Sequence, residues 1–296
     1  MSVCALLTLR LVVPLLLVAV GTCQAAAVSS EHVEAELVAE RLNGAPGSEL
    51  WLGLRLKHAP HWHTYWVNPG DSGLQTKLFW TLPDHSNAGD IAWPAPKRLG
   101  VGELYNFGYD GEVMLPVQVN VPDALGVGAT MHVGVRAQWL ECEELCIPAK
   151  VNLSLDIPIG RKEGALDPRW KSLFEMARQT HPLETDWYGT AILRGDQVTA
   201  TVVGKGLPTQ SDLEVFPLEP GIVSNGTPTI SRGADTLVVK MGKNEYFANN
   251  PNTLTLVMIS RSARPMHAWR ITVPLRESNT DAVGASADSG VTGRSD

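Results

Sequence analysis

The chain has 296 residues, 44% of them hydrophobic and 19% charged, with a formal net charge of -7. That balance supplies no basic field for a phosphate backbone, and no Arg/Lys cluster rises above scattered surface charge, so nucleic acid is not an expected partner. No Walker-type loop, Ser/His/Asp order or paired-carboxylate site has usable context, which leaves kinase and hydrolase chemistry without support.

At the N-terminus Arg10 precedes an apolar run from Leu11 to Val20, followed by small residues and an Ala25-Ala26-Ala27 exit. This is the pattern of a secretory signal peptide over residues 1–27. Its apolar run, about ten residues, falls short of the ~20 that a spanning helix requires. Cys23 follows Val20-Gly21-Thr22, and threonine stands where a lipid-attachment site needs Gly or Ala, so lipidation is not expected. No later segment is long and apolar enough to cross a bilayer, and the mature chain is expected to be extracytoplasmic. Of four cysteines, Cys4 and Cys23 leave with the signal, while Cys142 and Cys146 remain in an oxidising compartment where thiols tend to pair.

Residues 28–160 read as short alternating apolar runs, such as Leu50 to Leu56, Val113 to Val119 and Val151 to Ile157, in a background rich in Pro and Gly. Period-two alternation of this kind predicts an antiparallel β-sandwich. The run Asn68-Pro69-Gly70-Asp71-Ser72-Gly73 is a dense turn signal expected to separate two strands. Residues 161–182 are expected to form a helical linker, with Asp167 as N-cap, Pro168 in the first helical position and an apolar face of Leu166, Trp170, Leu173, Phe174 and Ala177. Strand-like alternation resumes over 183–276 and predicts a second β-sandwich, expected to serve as a structural or docking module. Residues 277–296 have the composition of a disordered tail or linker.

The mature cysteines lie in Trp139-Leu140-Glu141-Cys142-Glu143-Glu144-Leu145-Cys146-Ile147-Pro148, between two strand-like runs. A straight strand would hold their Cα atoms ~13 Å apart, whereas a disulfide needs ~4.4–6.8 Å. The backbone must therefore reverse between them, by a tight loop or a single helical turn. A ring this short is a weak staple, worth about 2 kcal/mol against about 4.7 for a hundred-residue loop, so the pair is better suited to exchange than to stabilisation. Glu141, Glu143 and Glu144 are expected to raise the thiol pKa values unless the fold turns the carboxylates away.

Two further segments accompany the pair. His61-Trp62-His63-Thr64-Tyr65-Trp66 is dense in rings, and Leu104-Tyr105-Asn106-Phe107-Gly108-Tyr109 is an aromatic loop followed by Asp110-Gly111. Tyr105, Phe107, Tyr109, His63 and Tyr65 are candidate shields for a reactive thiol. An alternative is a copper site built from His61, His63, Cys142 and Cys146, with His58 nearby; on a strand, only His61 and His63 would share a face.

Three segments carry a resemblance: Trp62 to Gly73, Gly108 to Val117, and Trp139 to Pro148. Their order and content resemble the N-terminal periplasmic domain of the DsbD/ScsB thiol:disulfide interchange proteins, more closely the ScsB-like branch, over roughly residues 30–160. The resemblance implies an immunoglobulin-like fold in the periplasm that takes electrons from a membrane-embedded donor and passes them to thioredoxin-fold or other disulfide-containing acceptors. It implies that Cys142 and Cys146 are the redox pair, that Tyr105 and Phe107 belong to a cap loop, and that His63 and Tyr65 lie on the strand beside the cysteines. A link to copper tolerance is also implied. Family members continue into a multi-helix membrane domain and a thioredoxin-like domain, which are expected here to be encoded separately or absent. The expectation is thus an all-β thiol-disulfide carrier of two immunoglobulin-like sandwiches, with no cofactor besides its disulfide. A copper-binding protein and a structural adaptor with a passive disulfide stand as alternatives.

Overall fold

The computed structural model describes residues 26–247, 251–264 and 266–278. The expected signal peptide, apart from its last two residues, and the expected tail from residue 279 lie outside the described residues.

The first half runs through β1 (Val28–Ser29), β2 (Val33–Ala39), β3 (Glu49–His58), β4 (His63–Gly70), β5 (Lys77–Thr81) and β6 (Ala88–Ile91). It continues through β7 (Lys97–Val101), β8 (Leu104–Asp110), β9 (Glu112–Asn120), β10 (Thr130–Cys142) and β11 (Cys146–Pro158). These strands form two facing sheets, ordered β1-β2-β3-β9-β6 and β11-β10-β4-β8-β7, with β5 paired to β10. The alternation read from the sequence sets the packing. Leu50, Leu52, Leu54 and Leu56 of β3 meet Met131, Val133, Val135, Ala137 and Trp139 of β10 in one buried core. Because a slip of one residue would turn each of these sets to solvent, the register is strongly specified.

The helix α1 (Lys171–Thr180) follows, and it starts later than the sequence suggests. Its N-cap is Trp170, which makes no side-chain cap bond. One turn earlier Asp167 makes the bond expected of an N-cap, its carboxylate accepting from the Arg169 backbone N–H at 3.0 Å, and it also holds the Arg169 guanidinium at 2.6 Å. Asp167 O accepts from Trp170 N and Lys171 N, so this turn leads directly into the helix. Phe174 and Ala177 pack against Val38 and Met114 on the outer face of the β2-β3-β9 sheet. Gly53 makes room for them, since a Cβ there would sit 3.0 Å from the Phe174 ring and 2.2 Å from Met114 Sδ.

The second half comprises β12 (Leu183–Glu184), β13 (Tyr188–Arg194), β14 (Gln197–Val203), β15 (Leu213–Pro217), β16 (Thr229–Arg232), β17 (Thr236–Gly242), β18 (Thr253–Ser260) and β19 (His267–Glu277). They form one sheet, ordered β15-β18-β19-β13-β14-β17-β16, with β12 beside β19. Val215 and Met258 from one end share a core with Val198 and Val239 from the other, so the sheet folds over on itself. The antiparallel pattern is not uniform here, because β12 and β13 both run parallel to β19. Nor are the two halves packed separately. Phe216, Val257, Ile259 and Ala268 belong to the core cluster of the first sandwich, and the Phe216 ring meets Phe107 edge-on at 5.2 Å and Trp66 at 6.3 Å.

Candidate redox site

The β10–β11 hairpin is paired without a break from Thr130↔Pro158 to Cys142↔Cys146. The reversal demanded by the cysteine spacing is therefore its tight turn, Glu143-Glu144-Leu145, closed by Glu143 N–H donating to Leu145 O at 3.2 Å. The two cysteines stand opposite each other with Cα atoms 4.2 Å apart and are joined in a disulfide. This matches the narrow, non-hydrogen-bonded type of antiparallel pair, ~4.5 Å. The two cysteines are not equivalent: Cys142 is only 1% exposed, while Cys146 lies exposed next to Leu145, which is 78% exposed.

On its other edge Cys142 pairs with His63, the single rung joining β10 to β4. Further along, the edge of β10 is taken by β5, from Gly134 to Gln138. The redox hairpin thus meets β4 where the strands part. His63 is buried, and its Nε2 has no hydrogen-bond partner. Burial, reinforced by nearby His58, pushes its pKa below the ordinary histidine value and keeps the ring neutral at pH 7. Its ring meets Tyr65 edge-on at 5.2 Å. The Tyr65 hydroxyl donates to Cys146 Sγ at 3.4 Å. Burial pushes the Tyr65 pKa up, so the phenol keeps the proton it would offer to a thiolate.

The carboxylates do not ring the sulfurs as the sequence suggests. Glu141 is fully buried and turned toward the N-terminal segment, accepting from Ser30 Oγ at 2.6 Å and from His32 N at 3.2 Å. Alternation along β10 puts it on the opposite face from Cys142. Glu143 and Glu144 are exposed in the turn. They form one wall of an open cleft beside the disulfide whose other walls include His61, His63, Leu99 and Gly100.

The expected aromatic cap is also redistributed. Phe107 and Tyr109 are buried in the sandwich core, Tyr109 donating its hydroxyl to Pro94 O at 2.7 Å, so neither is a lid. The alternation of β8 sends them to the same inner face. Tyr105, at the solvent end of β8, stays 40% exposed, and its ring faces Gly226 of the second half, with 3.8 Å from the ring to where a Cβ would lie. Trp62 stacks on His32 at 3.5 Å. Of the five candidate shields, then, only Tyr65 contacts a cysteine side chain in the structure and only His63 pairs with one through the backbone.

The copper donor set does not come together. His61 sits at φ 73° in the turn before β4, so it shares no strand face with His63. Both ring nitrogens of His58 are engaged, with Gly111 O at 2.8 Å and Thr64 Oγ1 at 2.9 Å. Among the described residues, no group of three or more His, Cys, Asp or Glu side chains is placed to hold a metal ion.

Sequence reasoning missed the support beneath Tyr65. The Asn68 to Gly73 turn does not simply break two strands: β4 continues to Gly70, and the residues after it fold onto the site. Asp71 N–H donates to Tyr105 O at 3.0 Å, and Asp71 Oδ2 accepts from Tyr105 N at 2.7 Å. Ser72 donates to Asn106 Oδ1 through both N and Oγ, at 3.1 and 2.9 Å. Gly73, at φ 93°, lies flat on the Tyr65 ring, where a Cβ would come within 2.2 Å of Cε1. The glycine in this turn motif was the one signal available in the sequence.

Residues 34–158 match the family model described as thiol:disulfide interchange protein DsbD, N-terminal. The chain is similar in structure to the N-terminal periplasmic domain of ScsB from Proteus mirabilis, with a TM-score of 0.62 at 18% identity, over 84% of this chain and 96% of that one. The sporulation control protein Spo0M of Bacillus subtilis aligns over 83% of this chain and 91% of its own at 9% identity, with a TM-score of only 0.23. No curated protein matches the chain. The family match contains the β10–β11 hairpin with its disulfide, together with β4 and Tyr65, and it supports a domain of the DsbD N-terminal type over residues 34–158.

Proposed function

We propose that the chain is a periplasmic thiol-disulfide interchange protein in which Cys146 is the sulfur that partners attack. The observation that carries this reading is the asymmetry of the pair, with Cys146 exposed at the hairpin tip and Cys142 enclosed behind it. To receive electrons, a donor thiolate attacks Cys146 Sγ and the Cys142 thiolate leaves. A second donor thiol then attacks the donor sulfur of the mixed disulfide, and Cys146 leaves as thiolate; the domain has gained two electrons and the donor holds a disulfide. To pass them on, the Cys146 thiolate attacks an acceptor disulfide, and Cys142 resolves the mixed disulfide by attacking Cys146 Sγ. The Tyr65 hydroxyl supports the exchange by donating to the Cys146 sulfur, which carries the thiolate charge once the pair is reduced.

The export signal in the sequence and the family resemblance support a membrane-embedded donor of the DsbD/ScsB type and periplasmic acceptors with a thioredoxin fold or an accessible disulfide. Cys142→Ser is expected to accumulate a mixed disulfide through Cys146, read on non-reducing gels after mixing with a disulfide-bonded acceptor. Cys146→Ser is expected to accumulate none. Equal trapping by both variants would overturn the assignment of Cys146. A pair with a potential well below about -300 mV would overturn the exchange function itself, since known exchange proteins lie between about -120 and -270 mV.

A further inference from the structure

The second sandwich carries no cysteine, yet one of its buried side chains reaches the turn that supports Tyr65. Asn225 is 4% exposed, and its Nδ2 donates to Asp71 Oδ1 at 2.8 Å. Both oxygens of Asp71 are thereby committed, Oδ1 to the second half and Oδ2 to the Tyr105 backbone. The Asn225 carbonyl is held in turn by Arg98 Nη1 at 3.3 Å, and Arg98 Nη2 donates to Val215 O at 2.7 Å. The Arg98 guanidinium lies between two rings, 5.0 Å from the centre of Phe107 and 4.9 Å from that of Phe216. A guanidinium gripped by two carbonyls and two rings is a fixed post rather than a mobile surface charge. Asn68 of β4 is tied to the same region, donating to Pro217 O at 2.9 Å.

We infer that the second sandwich is a positioning module for the redox site, and that Asn225, through Asp71 and the Ser72-Gly73 turn, holds the Tyr65 hydroxyl on Cys146 Sγ. Each link is short and close-packed. Asn225 fixes Asp71, Ser72 is anchored on Asn106, and Gly73 leaves the Tyr65 ring no room to move toward the turn. Releasing Asp71 lets the turn lift, and the ring beneath it gains the freedom to leave the sulfur. The inference rests on the exchange function proposed above, but its test does not depend on that function.

The test is the rate at which iodoacetamide alkylates Cys146 at pH 7 in the fully reduced chain, with Cys146 identified by peptide mapping. A phenol that donates to the thiolate favours ionisation, so Tyr65→Phe is expected to slow alkylation by about three- to tenfold. Asn225→Ala and Asp71→Ala are expected to slow it by about two- to fivefold, with the apparent thiol pKa rising in parallel. In the Tyr65→Phe background the same two changes are expected to add nothing, because residues acting through one contact are not additive. Native rates in both single variants, or effects that add fully to Tyr65→Phe, overturn the inference. Should Asn225→Ala unfold, Asp71→Asn decides: it sits in an exposed turn and turns one of the two acceptors into a donor. These rates are read after forced reduction, so a pair that proves too stable to exchange counts against the proposed function and not against the positioning role.

Discussion

The two halves of the molecule are both β-sandwiches, yet they bury polar groups very differently. Among the described residues of the second half the buried polar side chains are Asn225, Thr255 and Ser260. In the first, the described residues also include buried Glu40, Arg55, Asn68, Thr76 and Asn106, and a group of four, His58, His63, Thr64 and Glu141, lies around the region where the cysteine hairpin meets β4. Burying such groups is costly unless each is bonded, and a sandwich built for stability alone has no need of them at one end. The contrast teaches that the first half carries most of the buried polar groups, a cluster of them beside the cysteines, while the second supplies an apolar wall and a few polar ties.

The largest effect is expected at the wall. Phe216→Ala should lower stability by about 3–5 kcal/mol in denaturant titration, because its ring is enclosed by Trp66, Phe107 and the Arg98 guanidinium. A loss below about 1 kcal/mol would show that the halves do not depend on a shared core. Next is Gly73→Ala, which meets both the positive φ and the Tyr65 ring. Strain of this kind costs about 1–3 kcal/mol, and the displaced phenol should slow Cys146 alkylation as Tyr65→Phe does; an unchanged rate would separate the turn from the sulfur.

Glu141→Gln sharpens the contrast inside the polar cluster. It should cost about 1–3 kcal/mol through its bonds to Ser30 and His32, while the Cys146 thiol pKa should move little because the carboxylate faces away. A clear fall in that pKa would show that the Glu141 charge reaches the thiols after all. The smallest effect is the pH dependence. Burial depresses the pKa values of His58 and His63 below the unfolded value of 6.5, so the unfolded chain binds more protons as the pH falls. Stability should therefore be constant above pH ~7 and decline below ~6.5, by at most about 1.4 kcal/mol per pH unit for each imidazole. His63→Gln should flatten that slope; an unaltered slope would mean that His63 stays neutral in neither state more than the other.

Some of this was legible in the residues and some was not, for identifiable reasons. The strands of the β3 and β10 kind were readable because period-two burial is a local property of the chain. The regular helix begins at Lys171, three residues after Pro168, because the residues between form a turn closed by Asp167 O and capped by the Asp167 carboxylate, and the spacing of apolar residues does not separate such a turn from the helix it leads into. Phe107 and Tyr109 looked like lid residues because they lie among glycines, whereas strand alternation and the neighbouring half turn them into core.

By itself the sequence determined the all-β class, the closing of Cys142 on Cys146 and the resemblance that places this hairpin in its family. Two bonded cysteines with three residues between them must reverse the chain, so a hairpin or turn was required before any neighbour was known. Only the tertiary structure decided that Cys146 is the exposed cysteine, that Glu141 turns inward, that His61 lies in a turn off the strand of His63, and that Asn225 grips Asp71 across 154 positions of sequence. Exposure and contact of this kind depend on what the rest of the chain lays over a residue, and no local spacing encodes that.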